Sequence, residues 1–290
     1  MRRTNRLVYR THTATIGRIM SPMNVVTRKT LDADLSHLDV RLLCCRMQRL
    51  HRWASGNFSA PYWRLYRNKT RGATIVSSGK RMELVPGRIF LIPPDTPYSA
   101  SLEKPVDHFY IHFLTTPGYH ATKKQVHSLS ATRELVAAIG EVEQILLAGR
   151  QQSMHLAVLA RYLVLAALRH VPDECFEETF SDSRISGTIQ HMQRNLAERV
   201  SNRHLADIAH MNPNAYIRLF RNITGVTPQA YLTKLRIQQA CMLLHYTERT
   251  IDDIAEATGF CDRYHLSHSF KRLRDMGPAT FRRMMENTRI

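Results

Sequence analysis

The C-terminal third of the chain contains two stretches with the same helical pattern, and this duplication constrains the fold more than any other feature. The stretches span residues 204–221 and 251–271, so their starts lie about 50 residues apart. In each, apolar residues at helical spacing precede a short turn, and a second helix with its own apolar face follows. Each stretch is predicted to form a helix-turn-helix, over about residues 203–224 and 251–273. Because the second helix of such a unit enters the major groove, the chain is predicted to contact two windows of duplex DNA.

The first unit separates inward-facing from outward-facing residues. Leu205, Ile208 and Ala209 form one apolar face, while Asn212 and Pro213 suit a helix N-cap and the first helical position. Arginine can hydrogen-bond a guanine edge, and asparagine can hydrogen-bond an adenine edge. The residues of this unit that are predicted to contact DNA are Asn212, Asn214, Ile217, Arg218 and Arg221.

The second unit follows the same logic. Ile254 packs, Gly259 supplies a turn that often needs a positive φ, and the next helix is predicted to bury Leu266, Phe270 and Leu273. The residues of this unit that face outward and are predicted to contact DNA are Asp262, Arg263, Tyr264, His265, His268 and Lys271.

Between the two units, residues 228–245 are predicted to form a buried helix that joins them. A helix of about 18 residues is about 27 Å long at 1.5 Å per residue. That length suits two recognition helices held about one DNA turn, roughly 34 Å, apart.

These motifs resemble the AraC/XylS family of transcriptional regulators over about residues 184–284. The residues that carry the resemblance are Leu205, Ala206, Arg218, Leu219, Phe220, Gly225, Val226, Thr227, Pro228, Tyr231, Arg236, Ala240, Leu243, Leu244, Ile251, Ile254, Ala255, Gly259, Phe260, Phe270, Lys271, Pro278, Phe281 and Arg282. The resemblance implies two helix-turn-helix subdomains joined by one long helix. It also implies that Arg218 reads bases, with Asn214 and the face of residues 263–268 contributing.

The sequence departs from the family pattern at turn and packing positions. His210 stands where a small residue is usual, and Leu266 replaces an aromatic residue. Asp275 and Gly277 alter the usual ending before Pro278. These departures concern local geometry and leave the resemblance intact.

Charge supports a polyanionic partner. The net charge is +17, and residues 1–30 hold seven Lys/Arg with no Asp/Glu, while residues 184–290 hold 16 Lys/Arg against nine Asp/Glu. Residues 1–30 are predicted to form a disordered basic tail, with a transit peptide or an early start codon as alternatives.

The remaining composition is that of a globular protein, with 43% apolar and 22% charged residues. The five cysteines show no CxxC spacing, and no apolar run approaches the roughly 18 residues of a membrane helix. We therefore expect a cytoplasmic, nucleoid-associated bacterial protein with no membrane partner.

The N-terminal half is predicted to be rich in strands, which gives a two-domain α+β fold. Candidate strands are residues 38–45, 61–67, 73–78, 82–85, 88–92 and 107–114. Many short strands with tight turns indicate a barrel or sandwich over residues 31–130.

Helical spacing then begins near Thr132. Residues 131–171 are predicted to form an αα-hairpin, which either packs on the strands or also forms a dimer seam. Residues 172–183 lose periodicity and are predicted to be a linker, before an all-α domain over residues 184–290.

Residues 60–114 resemble the cupin-like sensor domain of the same family. A metal-binding cupin needs a His-x-His motif and a later histidine, but residues 58–92 contain no histidine and Tyr98 stands at the later position. No catalytic residue, metal or other cofactor is therefore predicted.

His108, Tyr110 and His112 alternate with apolar residues along one predicted strand. Their face is either a polar outer surface or the lining of a pocket for a small sugar or polyol. In a loose alignment, the resemblance implies sugar contacts at or near Arg71, His108 and Tyr110. The residues predicted to bind a ligand are Trp63, Tyr66, Arg71, His108 and Tyr110.

The leading hypothesis is a homodimeric transcriptional regulator, not an enzyme, that binds a small effector, contacts RNA polymerase and activates genes of sugar or related carbon-source metabolism. Three alternatives stay open. The barrel could serve only for dimerisation, the chain could be a cupin enzyme fused to a DNA-binding tail, or it could be an architectural DNA protein without regulatory input.

Overall fold

The computed structural model describes residues 39–53, 59–115, 123–176 and 182–286. The predicted basic tail, residues 1–30, lies outside the described residues. So do residues 31–38 of the predicted sensor domain and residues 177–181 of the predicted linker.

The described residues of the N-terminal half form eight strands. The strands are β1 (Val40–Leu50), β2 (Trp63–Asn68), β3 (Ala73–Ser77), β4 (Lys80–Glu83), β5 (Arg88–Ile92), β6 (Ser99–Leu102), β7 (Val106–Thr115) and β8 (His127–Ser130). Six of them overlap the strands expected from the sequence. The other two, β6 and β8, are short and rich in serine, so they lack the β-branched and aromatic residues on which the expectation was based.

The strands form two antiparallel sheets. The larger has the order β1-β7-β2-β5-β8, and the smaller has the order β4-β3-β6. Strand β7 lies between β1 and β2, with Tyr66 opposite Tyr110 and Arg64 opposite His112. Because directly opposed residues of an antiparallel pair share a face, these four side chains lie on the same side of the larger sheet.

Both faces of the larger sheet are buried, each against a different partner. One face packs against α1 (Arg133–Leu147) and α2 (Met154–Leu168) through residues such as Phe109, Phe113 and Leu163. The opposite face contributes Tyr66 and Tyr110 to a second core with residues of the smaller sheet. The hypothesis of a polar outer face on β7 is therefore wrong, since His108 and His112 are both buried.

The first part of the predicted linker is packed against the N-terminal domain. Residues Asp173–Cys175 form a 3₁₀ turn, Cys175 is buried in the core beneath α1 and α2, and the Phe176 ring lies 6.2 Å from the Trp63 ring. The loss of periodicity in this stretch predicted a linker, but its cysteine and aromatic residues find apolar partners in the N-terminal domain.

The C-terminal half is helical throughout its described residues. The helices are α3 (Ser183–Arg194), α4 (Asn202–Ile208), α5 (Pro213–Thr224), α6 (Pro228–Tyr246), α7 (Ile251–Ala257), α8 (Arg263–Arg274) and α9 (Pro278–Glu286). Their starts follow local chemistry, because Ser201, Asn212, Thr227, Thr250 and Asp262 each cap a helix by accepting a backbone N–H bond.

Helix α6 contributes to two separate apolar cores. Its first half adds Tyr231 and Leu235 to the core of α3, α4 and α5. Its second half adds Ile237 and Leu244 to the core of α7, α8 and α9. The prediction that Leu273 packs is wrong: this residue is 42% exposed, since the inward face of α8 is filled by Leu266 and Phe270.

The chain is thus a two-domain α+β protein, with an N-terminal sheet domain and a C-terminal helical domain. Among the described residues, none of the helices has the length and apolar character needed to cross a lipid bilayer.

Replacing Gly259 by alanine is predicted to destabilise the C-terminal domain. Its φ of +74° is left-handed, and an added Cβ would lie 2.5 Å from the carbonyl oxygen of Leu196. Gly225 offers a matched control, because its φ is +76° but an added Cβ would meet nothing within 4 Å. We expect Gly225→Ala to cost about 1 kcal/mol and Gly259→Ala about 2–4 kcal/mol. Urea denaturation measures both, and equal losses would contradict the packing argument.

Candidate DNA interface and small-molecule pocket

Helix α5 presents an exposed polar stripe. Asn214, Arg218 and Arg221 are exposed and follow one another at spacings of four and three residues, so they lie along one side of the helix. Ile217 lies between them but is partly buried against the core of α3, α4 and α5. This stripe carries two cations and one amide, the groups that hydrogen-bond phosphates and base edges.

Asn212 has a structural role at the start of this helix. Its side-chain oxygen accepts the backbone N–H of Asn214 at 3.0 Å, which caps α5. Its amide NH₂ group is left to donate to another molecule.

Helix α8 presents a second exposed face. Tyr264 is 78% exposed, and His265, His268 and Lys271 are exposed along the same helix. Arg263 is also exposed, and its guanidinium lies 3.4 Å from the carboxylate of Asp252. Ion pairs between exposed groups contribute little, so this pairing leaves Arg263 free to exchange Asp252 for a phosphate.

Asp262, which was predicted to contact DNA, caps α8 by accepting the backbone N–H of His265 at 2.7 Å. That hydrogen bond from His265 lowers the pKa of the Asp262 carboxyl, and the adjacent Cys261 and Tyr264 lower it further. A carboxylate repels the phosphates of DNA. Capping of α8 therefore explains the presence of Asp262 better than a contact with the DNA backbone does.

Arg236 ties the joining helix to the first unit. From α6 it donates to the carbonyl oxygens of Leu196 at 2.9 Å and Glu198 at 2.7 Å. These bonds fix the segment between α3 and α4, and they supply partners for carbonyl groups beyond the end of a helix.

A small cavity of about 40 Å³ lies where the sheet domain meets the helical domain, and it is partly open to solvent. Strand β2 and the residues around it supply Tyr62, Arg64 and Tyr66, while β7 supplies His108, Tyr110 and His112. The lining residues are Gln48, Leu50, Trp53, Tyr62, Arg64, Tyr66, Tyr98, His108, Tyr110, His112, His245 and Met285. Two of them, His245 and Met285, belong to α6 and α9 of the helical domain.

Hydrogen bonds orient several of the polar groups in this cavity. The hydroxyl groups of Tyr66 and Tyr98 lie 3.0 Å apart, and the His108 Nδ1 atom donates to Asn68 Oδ1 at 2.7 Å. The His112 Nδ1 atom lies 2.6 Å from the Tyr246 hydroxyl.

Burial favours the neutral form of the two β7 histidines in the cavity, His108 and His112. Loss of hydration lowers the pKa of His108 to about 3. The same loss lowers the pKa of His112 well below its usual value, and the nearby His245 and Arg64 lower it further.

The predicted ligand-binding residues separate into two groups. Tyr66, His108 and Tyr110 line the cavity. Trp63 does not, because it lies three positions from Tyr66 on β2 and therefore on the other face, where its ring stacks on Phe113 at 6.0 Å. Arg71 does not line it either, since it is exposed and pairs with Glu83 at 2.6 Å.

Sequence reasoning missed Arg64, although it lies two positions from Tyr66 and strand alternation places both on one face. His245 gave no such signal. Its place in the cavity depends on how the helical domain packs against the sheets.

Further contacts join the two domains around the cavity. Arg274 of α8 forms an ion pair with Asp95, which precedes β6, and its guanidinium is mostly buried. The Tyr62 hydroxyl lies 3.0 Å from His245 Nδ1. The described residues include no cluster of three or more histidine, cysteine or acidic side chains that could hold a metal ion.

The two exposed helices, each preceded by a shorter helix and a tight turn, define a DNA-binding protein of the helix-turn-helix class. In agreement, the family described as "Helix-turn-helix domain" matches residues 205–284.

Curated relatives match the same part of the chain. The HTH-type transcriptional activator RhaS of Yersinia pestis (strain Pestoides F) is 37% identical over 101 residues, which is 35% of this chain and 37% of RhaS. RhaS of Escherichia fergusonii is 30% identical over 148 residues, which is 50% of this chain and 51% of RhaS. The matches thus span about half or less of these relatives, which are transcriptional regulators and not enzymes.

The helical domain is therefore similar to the DNA-binding part of AraC/XylS-type regulators, in agreement with the resemblance seen in the sequence. The two-domain fold has a solved counterpart in ToxT from Vibrio cholerae. That similarity has a TM-score of 0.51 at 12% identity, and it covers 88% of this chain and 98% of ToxT.

The buried histidines predict an acid-sensitive fold. Their folded-state pKa values lie below the unfolded value of about 6.5, so the unfolded chain binds more protons as the pH falls through that value. Between pH 6.5 and 5, His108 should lower the free energy of unfolding by about 1.5 kcal/mol, and His112 should lower it further.

Denaturant titrations at several pH values test this expectation. His108→Gln should flatten the pH dependence, whereas His170→Gln, at an exposed position after α2, should leave it unchanged. Identical pH profiles for His108→Gln and the unmodified chain would contradict the assignment of His108 as a buried neutral group.

Proposed function

We propose that the chain is a sequence-specific, ligand-responsive transcriptional regulator that activates nearby genes. The observation that carries this proposal is the pair of exposed faces on α5 and α8. Each face combines cations with side chains that hydrogen-bond base edges, and the two are held by one helix. Helix α6 has 19 residues and a length of about 28 Å, close to the roughly 34 Å between successive major-groove windows.

The partner in this proposal is double-stranded DNA, bound in the cytoplasm of a bacterium. Activation further requires contact with RNA polymerase, as the RhaS-type relatives suggest by their description as activators. Arg218, Arg221 and Asn214 are assigned to the first window, and Tyr264, His268 and Lys271 to the second.

The sheet domain is proposed to be a cupin-like sensor, and its cavity to be the effector site. Tyr66, His108 and Tyr110 supply aromatic and polar walls of the kind that bind a sugar or a related carbon source. The solved ToxT chain, which shares the fold, is described with an unsaturated fatty acid bound. In this chain, the two lining residues from the helical domain offer a route from effector to DNA.

Arg218→Ala tests the DNA-reading function. An operator is first selected from random duplexes with the full-length chain, and affinities are then measured for the operator and for unrelated DNA. Losing a base contact should cost about 1–3 kcal/mol on the operator and much less on unrelated DNA. Arg150→Ala, at an exposed position between α1 and α2, serves as the control and should alter neither affinity.

Equal losses of Arg218→Ala on both DNAs would show a phosphate contact in place of base reading. Failure to select any operator, with uniform and steeply salt-dependent binding, would favour an architectural protein over a regulator.

The hairpin of α1 and α2 is proposed to form the dimer seam. Met154, Val158, Tyr162 and Leu165 lie along one side of α2, and all are exposed apolar residues. An uncovered apolar stripe on a helix is typical of an interface between subunits.

Val158→Glu should therefore weaken dimerisation, because it places a charge in an apolar contact. We expect at least about a 30-fold rise in the dimer dissociation constant, as measured by sedimentation equilibrium. Ala137→Glu, at an exposed position of α1 away from this stripe, is the matched control. A monomeric unmodified chain, or equal effects of both variants, would contradict this seam.

A further inference from the structure

Arg64 is a buried cation that has no counter-ion among the described residues. Its exposed fraction is 2%, and its Nη1 atom has no hydrogen-bond partner. The ion pairs among the described residues do not include Arg64. Its nearest charge-stabilising neighbours are aromatic, since the guanidinium carbon lies 5.1 Å from the Tyr62 ring centroid and 5.2 Å from that of Tyr98.

Burying an unpaired guanidinium group costs free energy. Arginine is not deprotonated in proteins, so burial cannot be relieved by loss of the proton. Aromatic faces recover only part of the lost hydration, and a buried charge normally requires an opposite charge. An anion that enters the cavity would supply what the fold lacks.

The cavity offers a second unpartnered group. The Nε2 atom of His112 is buried and has no hydrogen-bond partner, and His112 lies directly opposite Arg64 across β2 and β7. When the Tyr246 hydroxyl donates to His112 Nδ1, the Nε2 atom carries the proton and can donate. Two residues that each have an unpartnered polar atom, one of them charged, therefore line the same small space.

We propose that this cavity binds the carboxylate group of a small organic acid, with Arg64 as its charge partner and His112 Nε2 as a second hydrogen-bond donor. The inference rests on the proposed effector site and narrows its ligand from neutral sugars to acids, sugar acids among them.

Size and charge both favour a carboxylate. A water molecule needs roughly 10–15 Å³ of such a cavity, so a volume of about 40 Å³ accepts about three water-sized groups. A carboxylate has three non-hydrogen atoms, and the rest of the acid would extend toward the open side. Among the lining residues, Arg64 supplies the one fixed positive charge, and burial favours the neutral form of both β7 histidines. That charge matches one carboxylate and leaves a doubly charged phosphate under-neutralised.

The position of the cavity links the acid to the DNA-binding half. His245 of α6 and Met285 of α9 close the cavity from the helical domain, and His245 lies 3.0 Å from the Tyr62 hydroxyl. An acid held by Arg64 would thus lie at the interface between the two domains, where Arg274 also pairs with Asp95.

Isothermal titration calorimetry with the full-length chain tests the proposal. Propionate is titrated against propionamide at constant ionic strength, since the amide has the same shape without the charge. Propionate should bind at least about 30-fold more tightly than propionamide. Arg64→Gln should lose at least about 30-fold in propionate affinity.

Two further variants complete the design. Arg64→Lys keeps the charge, so it should bind propionate more weakly than the unmodified chain but still prefer propionate to propionamide. This variant provides the test if Arg64→Gln does not fold. Arg81→Gln, a surface arginine paired with Glu103 at 3.2 Å, should bind propionate like the unmodified chain.

Equal binding of propionate and propionamide would overturn the proposal, as would no binding of acetate, propionate or lactate. Operator binding by the same preparation separates this outcome from failure of the proposed function. If the chain binds an operator but no acid, only the proposed carboxylate site is contradicted. If it binds acid but no operator can be selected, the proposed regulatory function is contradicted and the carboxylate site stands.

Discussion

One long helix, α6, contributes to the apolar cores of both halves of the helical domain, and helices α5 and α8 depend on it for their spacing. Tyr231 and Leu235 anchor the first half, and Ile237 and Leu244 anchor the second. Arg236 adds two hydrogen bonds to carbonyl oxygens of the segment before α4. Because packed cores resist deformation, α5 and α8 are held at a separation set by the length of α6.

The same helix reaches the sheet domain at its C-terminal end. His245 lines the small cavity, and Tyr246 lies 2.6 Å from His112 on β7. In the proposed regulator, a change in the cavity therefore acts on the helix that sets the spacing of the DNA-reading faces. The ion pair between Arg274 and Asp95 adds a second link, from the sheet domain to α8.

Local chemistry made much of the helical half predictable. The capping residue Asn212, helical apolar spacing and Gly259 located its helices and turns, because each acts over a few residues. The cap at Asp262 was missed, since this residue was predicted to contact DNA. The cavity was less accessible to such reasoning. Period-two alternation places Arg64 on the same face of β2 as Tyr66 and Trp63 on the opposite face. Which of these faces lines a cavity depends on how the other sheet packs. The contribution of His245 is wholly tertiary, so no local pattern reveals it.

The most direct test of the account is a hydroxyl-radical footprint of the full-length chain on a selected operator, since its central claim is that one subunit reads two windows of the major groove. We expect two protected windows per subunit on one face of the duplex, about 10 base pairs apart. Alanine at Arg218 should remove one window, and alanine at His268 and Lys271 together should remove the other. A single window per subunit, or protection that both sets of changes erase alike, would contradict the claim.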